Sequence, residues 1–168
     1  EVVEAISTAG PRGILARGLG RSYGDAAQTG GGCVLDLSPM ATITLDADRA
    51  LVTAGAGASL DAVMRAIVPR GFFVPVTPGT RMVTVGGAIA ADVHGKNHDW
   101  AGSFGDHLLW IDLLLPSGEV VRASPEIRPA LFAATIGGLG LTGIIVGLAL
   151  RLMRTPSPAV SVRQVRTA

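Results

Sequence analysis

The sequence predicts an α+β fold, and three observations lead there. Apolar runs of four to eight residues recur along the chain with strand character. Short helical patterns interrupt them with no strict β-α-β alternation and no internal repeat, which disfavours a doubly wound sheet. The 23 glycines gather at the ends of those runs, where they make turns or bare backbone rather than fill element interiors.

Residues 1 to 9 place Val2, Val3, Ile6 and Ala9 at helical spacing, and Gly10-Pro11 ends the pattern. Ile14-Leu15-Ala16 reads as a strand running into Arg17-Gly18-Leu19-Gly20-Arg21-Ser22-Tyr23-Gly24-Asp25, and Cys33 to Leu37 as a second strand. Ile43 to Leu45 and Leu51 to Ala54 read as a strand pair. Ser59 is an N-cap for a helix over Leu60 to Val68, whose Leu60, Val63, Met64 and Ile67 share a face, with Gly71 closing it. Pro75 and Pro78 make Phe72 to Val76 an edge or a linker. The Val83-Thr84-Val85 run reads as a strand ending in bare backbone at Gly86-Gly87, with a polar loop at His94-Gly95-Lys96-Asn97-His98. Leu108 to Leu115 and Val120 to Ala123 flank Pro-Ser-Gly-Glu as a hairpin. Pro129 to Ile136 reads as a short helix and Ile144 to Met153 as a long strand. Residues 1–155 form the domain, and 156–168 begin a connection leading out of it.

At 168 residues the chain has the size of one domain. Its hydrophobic share of 48% is ample for a core, yet only 4% is aromatic, so Val, Leu, Ile and Ala must build that core. A formal charge of +1 gives no electrostatic case for nucleic acid. The charged share of 16% is low for a solvated surface and points to partial cover by another domain or subunit. The one cysteine, Cys33, reads as a buried thiol rather than a nucleophile. The longest uncharged apolar run, residues 139 to 150, is too short and glycine-rich to span a bilayer. The chain opens on Glu1 rather than Met and reads as a fragment of a longer one.

Several familiar sites fail on spacing. Gly18-Leu-Gly20-Arg-Ser-Tyr23 lacks the third glycine of a dinucleotide fingerprint, and no helix follows to receive a pyrophosphate. What remains is a glycine-rich loop with two arginines, which is either a phosphate cradle or an ordinary turn. Gly95-Lys96 has neither the spacing nor the hydroxyl of a P-loop. His94 and His98 would share a face only on a helix, and Gly95 between them argues for a loop, so no metal is expected. No serine has a G-x-S-x-G setting. If the clusters at Gly18–Gly24, Gly79–Gly95 and Gly137–Gly143 converge, they form one backbone-lined groove for an extended, phosphate-bearing cofactor. The alternative is a non-enzymatic domain whose glycines only make turns.

Taken in order, Ala16-Arg17-Gly18-Leu19-Gly20-Arg21-Ser22-Tyr23-Gly24-Asp25, Pro78-Gly79-Thr80-Arg81, Val83 to Ala90, His94 to His98, Gly102-Ser103-Phe104-Gly105, Leu131-Phe132 and Gly140 to Ile145 resemble the FAD-binding domain of the vanillyl-alcohol-oxidase-type (PCMH-type) flavoproteins. The likeness runs from Ile14 to Met153. Within that superfamily the ARGLGRSYGD and HGKNH strings resemble the decaprenylphosphoryl-ribose 2-oxidases, flavin subunits of an arabinan-precursor epimerase; other sugar, alditol or hydroxyacid oxidases of the superfamily are the alternative.

The resemblance implies two α+β subdomains with FAD between them. Arg17, Gly18, Leu19, Gly20, Arg21, Ser22, Tyr23, Gly24 and Asp25 would wrap the pyrophosphate. Gly79, Thr84, Val85, Gly86 and Gly87 would line the ADP and flavin, Asp92, Val93 and His94 would lie near the flavin, and Ile145 near the adenine. Arg21 stands where many members carry a flavin-linked histidine, so the FAD is expected to be non-covalent. His94 and Lys96 are the candidate catalytic groups. The implied reaction oxidises the C2 hydroxyl of a polyprenyl-phosphate ribose to a 2-keto sugar, with an NAD-dependent reductase as partner, in cell-wall arabinan synthesis at the cell envelope or in the cytoplasm. Family members add a substrate-binding domain after this one, so the 168 residues alone are expected to show little turnover.

Overall fold

The computed structural model describes residue 4 and residues 10–157, 159 and 162–165. The helix expected over residues 1–9 lies outside them apart from residue 4. The described residues form an α+β fold around a five-stranded antiparallel sheet. Its strands are β3 (Ile43–Asp46), β4 (Leu51–Gly55), β6 (Leu108–Leu114), β7 (Val120–Ala123) and β8 (Ile144–Arg151). The spatial order is β3-β4-β8-β6-β7. The long eighth strand therefore lies in the middle, bridging the two hairpins that precede it in sequence. Two small sheets flank this one: parallel β1 (Ile14–Arg17) and β2 (Cys33–Asp36), and antiparallel β5 (Phe72–Phe73) and β9 (Met153–Arg154).

Helix α1 (Leu60–Ile67) starts where the sequence places it. Ser59 Oγ accepts the Ala62 N–H, and Asp61 sits in the first turn. Its buried stripe is Leu60, Val63 and Ile67, each fully shielded. Burying such side chains contributes about 1.5–3 kcal/mol apiece. A 3-10 turn, Val68–Arg70, follows, and Gly71 at φ 80° ends it in the left-handed region that glycine adopts without strain.

Two expectations need correction. The Val83-Thr84-Val85 run is not a strand: Val85–Ala90 is a short helix, α2, capped by Thr84. Two glycines in six residues give it poor intrinsic helicity, so tertiary contacts make it. The Val85 N–H donates to the Ala58 carbonyl, Gly86 N–H to Ala56, and Gly87 N–H to Thr84 Oγ1. Three of the four N–H groups that a helix start leaves unpaired are thereby satisfied. Cys33 is exposed rather than buried. It lies on the β1–β2 pair, and β2 buries little of its surface among the described residues.

Three further helical segments lie among residues 98–135: α3 (His98–Ala101), a 3-10 turn at Gly105–His107, and α4 (Pro129–Thr135). Phe104, Ile111, Leu113, Leu148 and Leu150 join α1 and α2 in one apolar core. Among the described residues no helix is long and apolar enough to cross a membrane.

Candidate functional site

The first glycine loop meets the start of α2. A Cβ on Gly18 would overlap the Thr84 side chain, so only glycine lets the end of β1 lie against this cap. That contact joins two strings separated by more than sixty residues. Past Gly18 the loop opens: Leu19, Gly20, Arg21, Ser22, Tyr23, Gly24 and Asp25 are exposed, Tyr23 almost fully. Gly20 (φ 62°) and Gly24 (φ 59°) take left-handed backbone, and nothing lies within 4 Å of a Cβ built on Gly24. Arg21 makes no hydrogen bond or ion pair among the described residues. Arg17 lies close enough to Asp36 to help hold that carboxyl below its usual range, after the Ser38 backbone and side chain.

At Thr84–Gly87 the residues separate by exposure. Thr84, Val85 and Gly86 are buried and Gly87 is exposed. Gly86 is a packing glycine, since a Cβ there would come 2.9 Å from the Ala56 Cβ. Gly87 would meet only the Thr84 hydroxyl, at 3.1 Å. Whatever this string offers a ligand is therefore the bare surface of Gly87, because its N–H groups are already bonded. Ile145 is buried on β8 and Val93 packs against the same core.

A second group of expected residues lines a cavity of about 710 Å³, with Gly79, His94, Lys96 and His98 on its wall beside Phe73, Pro75 and Trp100. Two contacts hold its halves together. Asn97 Nδ2 donates to the Pro75 carbonyl at 3.0 Å, and a Cβ on Gly95 would come 2.6 Å from the Thr77 carbonyl. The His-Gly-Lys-Asn string is thus shaped for close approach of two loops. Gly79 has nothing within 4 Å of a built Cβ, so its lack of a side chain serves open space rather than packing.

The histidines differ in what their rings touch. His98 Nδ1 donates to the Gly95 carbonyl at 3.1 Å, and Nε2 lies 3.3 Å from Asp99. His107 Nε2 donates to the Ala101 carbonyl at 2.8 Å. His94 meets the His98 ring edge to face at 5.3 Å and makes no ring hydrogen bond among the described residues. His94 is therefore the histidine whose nitrogens stay open to a reacting group. The described residues hold no cluster of three or more metal-ligating groups.

Trp100 on this wall was not singled out from sequence. The sequence shows only that it is one of two tryptophans in a chain with 4% aromatics; its 77% exposure appears in the fold. Leu139 and Leu141, 62% and 90% exposed, mark the third glycine cluster in the same way.

An open glycine loop resting on the cap of α2, together with a cavity lined by loops and by exposed apolar side chains, describes a domain with room for an extended ligand. Residues 1–124 match the FAD binding domain family, and the chain belongs to it. Among curated proteins it is similar to the decaprenylphosphoryl-beta-D-ribose oxidase of Mycolicibacterium smegmatis, 51% identical over 92% of this chain and 35% of that protein. It is also similar to a D-lactate dehydrogenase of Anaerostipes hadrus, 28% identical over 82% of this chain and 30% of that one. Cytokinin dehydrogenase 10 of Oryza sativa is 29% identical over 95% of this chain and 30% of its own length. The chain spans about a third of the length of these relatives.

The residues present fit FAD. Gly20, Gly24, Gly79 and Gly87 leave bare backbone where a Cβ would meet little or nothing of the protein. Arg21 is a cation with no hydrogen bond or ion pair among the described residues, and Tyr23 and Leu19 offer exposed apolar surface.

Proposed function

We propose that this chain is the FAD-binding part of an oxidoreductase that oxidises the C2 hydroxyl of a polyprenyl-phosphate ribose to the 2-keto sugar. The observation that carries it is the Gly18–Thr84 contact, which merges two glycine strings into one wall, read together with the 51% identity to a decaprenylphosphoryl-beta-D-ribose oxidase. Arg17 to Asp25 would enclose the pyrophosphate, held non-covalently, and Gly79 and Gly87 would lie against the cofactor. Thr84, Val85 and Gly86 would support that surface from beneath, and Ile145 and Val93 would do so from the core.

Bound FAD would supply the acceptor for the hydride leaving C2. This chain's residues would handle the proton and the charge. His94, with open ring nitrogens, is placed to take the hydroxyl proton. Lys96 on the same cavity wall brings a cation toward the negative charge that develops there. An NAD-dependent reductase acting on the 2-keto product would complete epimerisation to the arabinose form, which places the reaction in cell-wall precursor synthesis.

Gly87→Ala tests the cofactor wall. Gly87 is exposed, a Cβ there would meet only the Thr84 hydroxyl, at 3.1 Å, and alanine favours a helix over glycine by up to about 1 kcal/mol. The variant should melt at or above the wild-type temperature yet bind FAD about tenfold more weakly, a loss of about 1.4 kcal/mol. Flavin fluorescence titration reads the second number, and unchanged affinity would remove Gly87 from the site.

A further inference from the structure

Asp92 was expected to touch the cofactor, but its carboxylate is used inside the chain. Its Oδ1 accepts the Gly105 N–H at 2.9 Å. Next to it the Phe104 N–H donates to the Val93 carbonyl at 2.9 Å, and His94 pairs with Ser103 as an antiparallel bridge. The three pairs, 92 with 105, 93 with 104 and 94 with 103, keep a single antiparallel register. This is a miniature ladder, and its last rung is a side chain. Asp92 stands at φ 41°, outside the extended region that a backbone rung requires, so its carboxylate supplies the acceptor. Aspartate and asparagine tolerate this conformation better than other non-glycine residues.

The rung is closely packed on both sides. Gly105 is buried, and a Cβ on it would meet both the Ile136 side chain and Asp92 Oδ1. Gly137 lies against the Asp92 Cβ, and its N–H donates to the Ile89 carbonyl. The end of α2, the ladder and the third glycine cluster therefore meet at one side chain.

We propose that Asp92 is a positioning residue: by closing this ladder against Gly105 it fixes the direction in which His94 leaves the core toward the cavity. The proposal rests on the reading of His94 as a group of the reaction site. It assigns Asp92 no contact with the cofactor.

Nuclear magnetic resonance of the 15N-labelled chain, with and without FAD, tests it through Asp92→Ala, Asp92→Gly and Asp92→Asn. Alanine and glycine both remove the acceptor, and glycine also relieves the left-handed strain, so it remains informative if alanine fails to fold. Both should speed Gly105 amide exchange by roughly tenfold or more and shift or split the His94 ring signals, while the Trp110 indole in the large sheet stays put. Asparagine keeps an acceptor oxygen and should leave Gly105 and His94 near wild type. With FAD bound, asparagine should also leave the flavin absorbance and midpoint potential unchanged, because no carboxylate charge is lost beside the cofactor. Unchanged Gly105 and His94 signals in the glycine variant would overturn the proposal. A shifted flavin potential in the asparagine variant would overturn it too, returning Asp92 to direct contact. If the wild-type chain takes up no FAD, the functional reading fails by itself, and the Gly105 and His94 signals still decide the role of Asp92.

Discussion

The loop Arg17–Asp25 and the segment Thr84–Gly105 are both rich in glycine, and their glycines do opposite things. In the loop, Gly20 and Gly24 turn the backbone into left-handed conformations over open space. In the segment, Gly86 makes room for Ala56, Gly95 for Thr77 and Gly105 for Ile136. The first set leaves backbone bare for something outside the protein, and the second lets the protein touch itself. Glycine density therefore marks two kinds of close approach, and only the neighbours tell them apart. Gly18 and Gly87 stand at the boundary, one packed on Thr84 and the other beside it facing out.

The largest effect expected from this contrast is at Gly86. Gly86→Val drives two methyl groups toward the Ala56 Cβ and carbonyl, 2.9 and 3.0 Å from where a Cβ would sit. Overpacking of this kind costs about 2–3 kcal/mol, a fall of roughly 5–10 °C in melting temperature for a domain of this size. A wild-type melt by circular dichroism would erase the distinction between the two sets. Lost flavin binding in this variant reports lost structure first, so Gly87 is the cleaner probe of the wall.

At the boundary, the coupling of Gly18 to Thr84 is measurable. Thr84→Ala removes the cap of α2 and should cost about 1 kcal/mol. Gly18→Ala should cost a similar amount or more by pushing the loop off Thr84. Because alanine at 84 removes the hydroxyl and methyl that a Cβ on Gly18 would meet first and leaves only the Cβ of residue 84, at 2.9 Å, the double variant should be less destabilised than the sum, by about 1 kcal/mol in a denaturant-melt cycle. Strict additivity would mean the loop does not rest on the cap.

The smallest effect lies at the other end of the same string. Arg81 and Arg65 both pair with Asp61, each at 2.8 Å, tying the Pro78–Arg81 loop to α1. The Arg65 hydrogen bond is the main cause holding the Asp61 carboxyl below its usual value of 3.8. A lowered folded value contributes stability that is complete above 3.8 and fades as pH falls below it. The pair is solvent-exposed, so the contribution is slight and sensitive to salt. Asp61→Asn should lower stability slightly at neutral pH, where the pair is intact, and converge on the wild type below pH 4, so that the acid limb flattens; a difference that grows in acid and vanishes at neutral pH would contradict this linkage.

Much of this was legible in the chain order. Ser59 with the Leu60, Val63 and Ile67 stripe specified α1, and Pro-Ser-Gly-Glu specified the β6–β7 hairpin, because caps, turns and periodicity act over a few residues. The ordered glycine strings were enough to name an FAD-binding domain. The sequence did not disclose that Val83-Thr84-Val85 leads into a helix. Its β-branched residues favour a strand locally, and the carbonyls that satisfy α2 belong to Ala56 and Ala58, nearly thirty positions earlier. The exposure of Cys33 was equally hidden, since a two-residue apolar flank cannot say whether the second sheet covers it. Nor could the sequence separate Gly86 from Gly87, identical neighbours of which one is buried and the other exposed. Spacing along the chain decided which elements form and which cofactor they suit; burial decided what each glycine is for, because burial depends on partners that only the folded chain brings within reach.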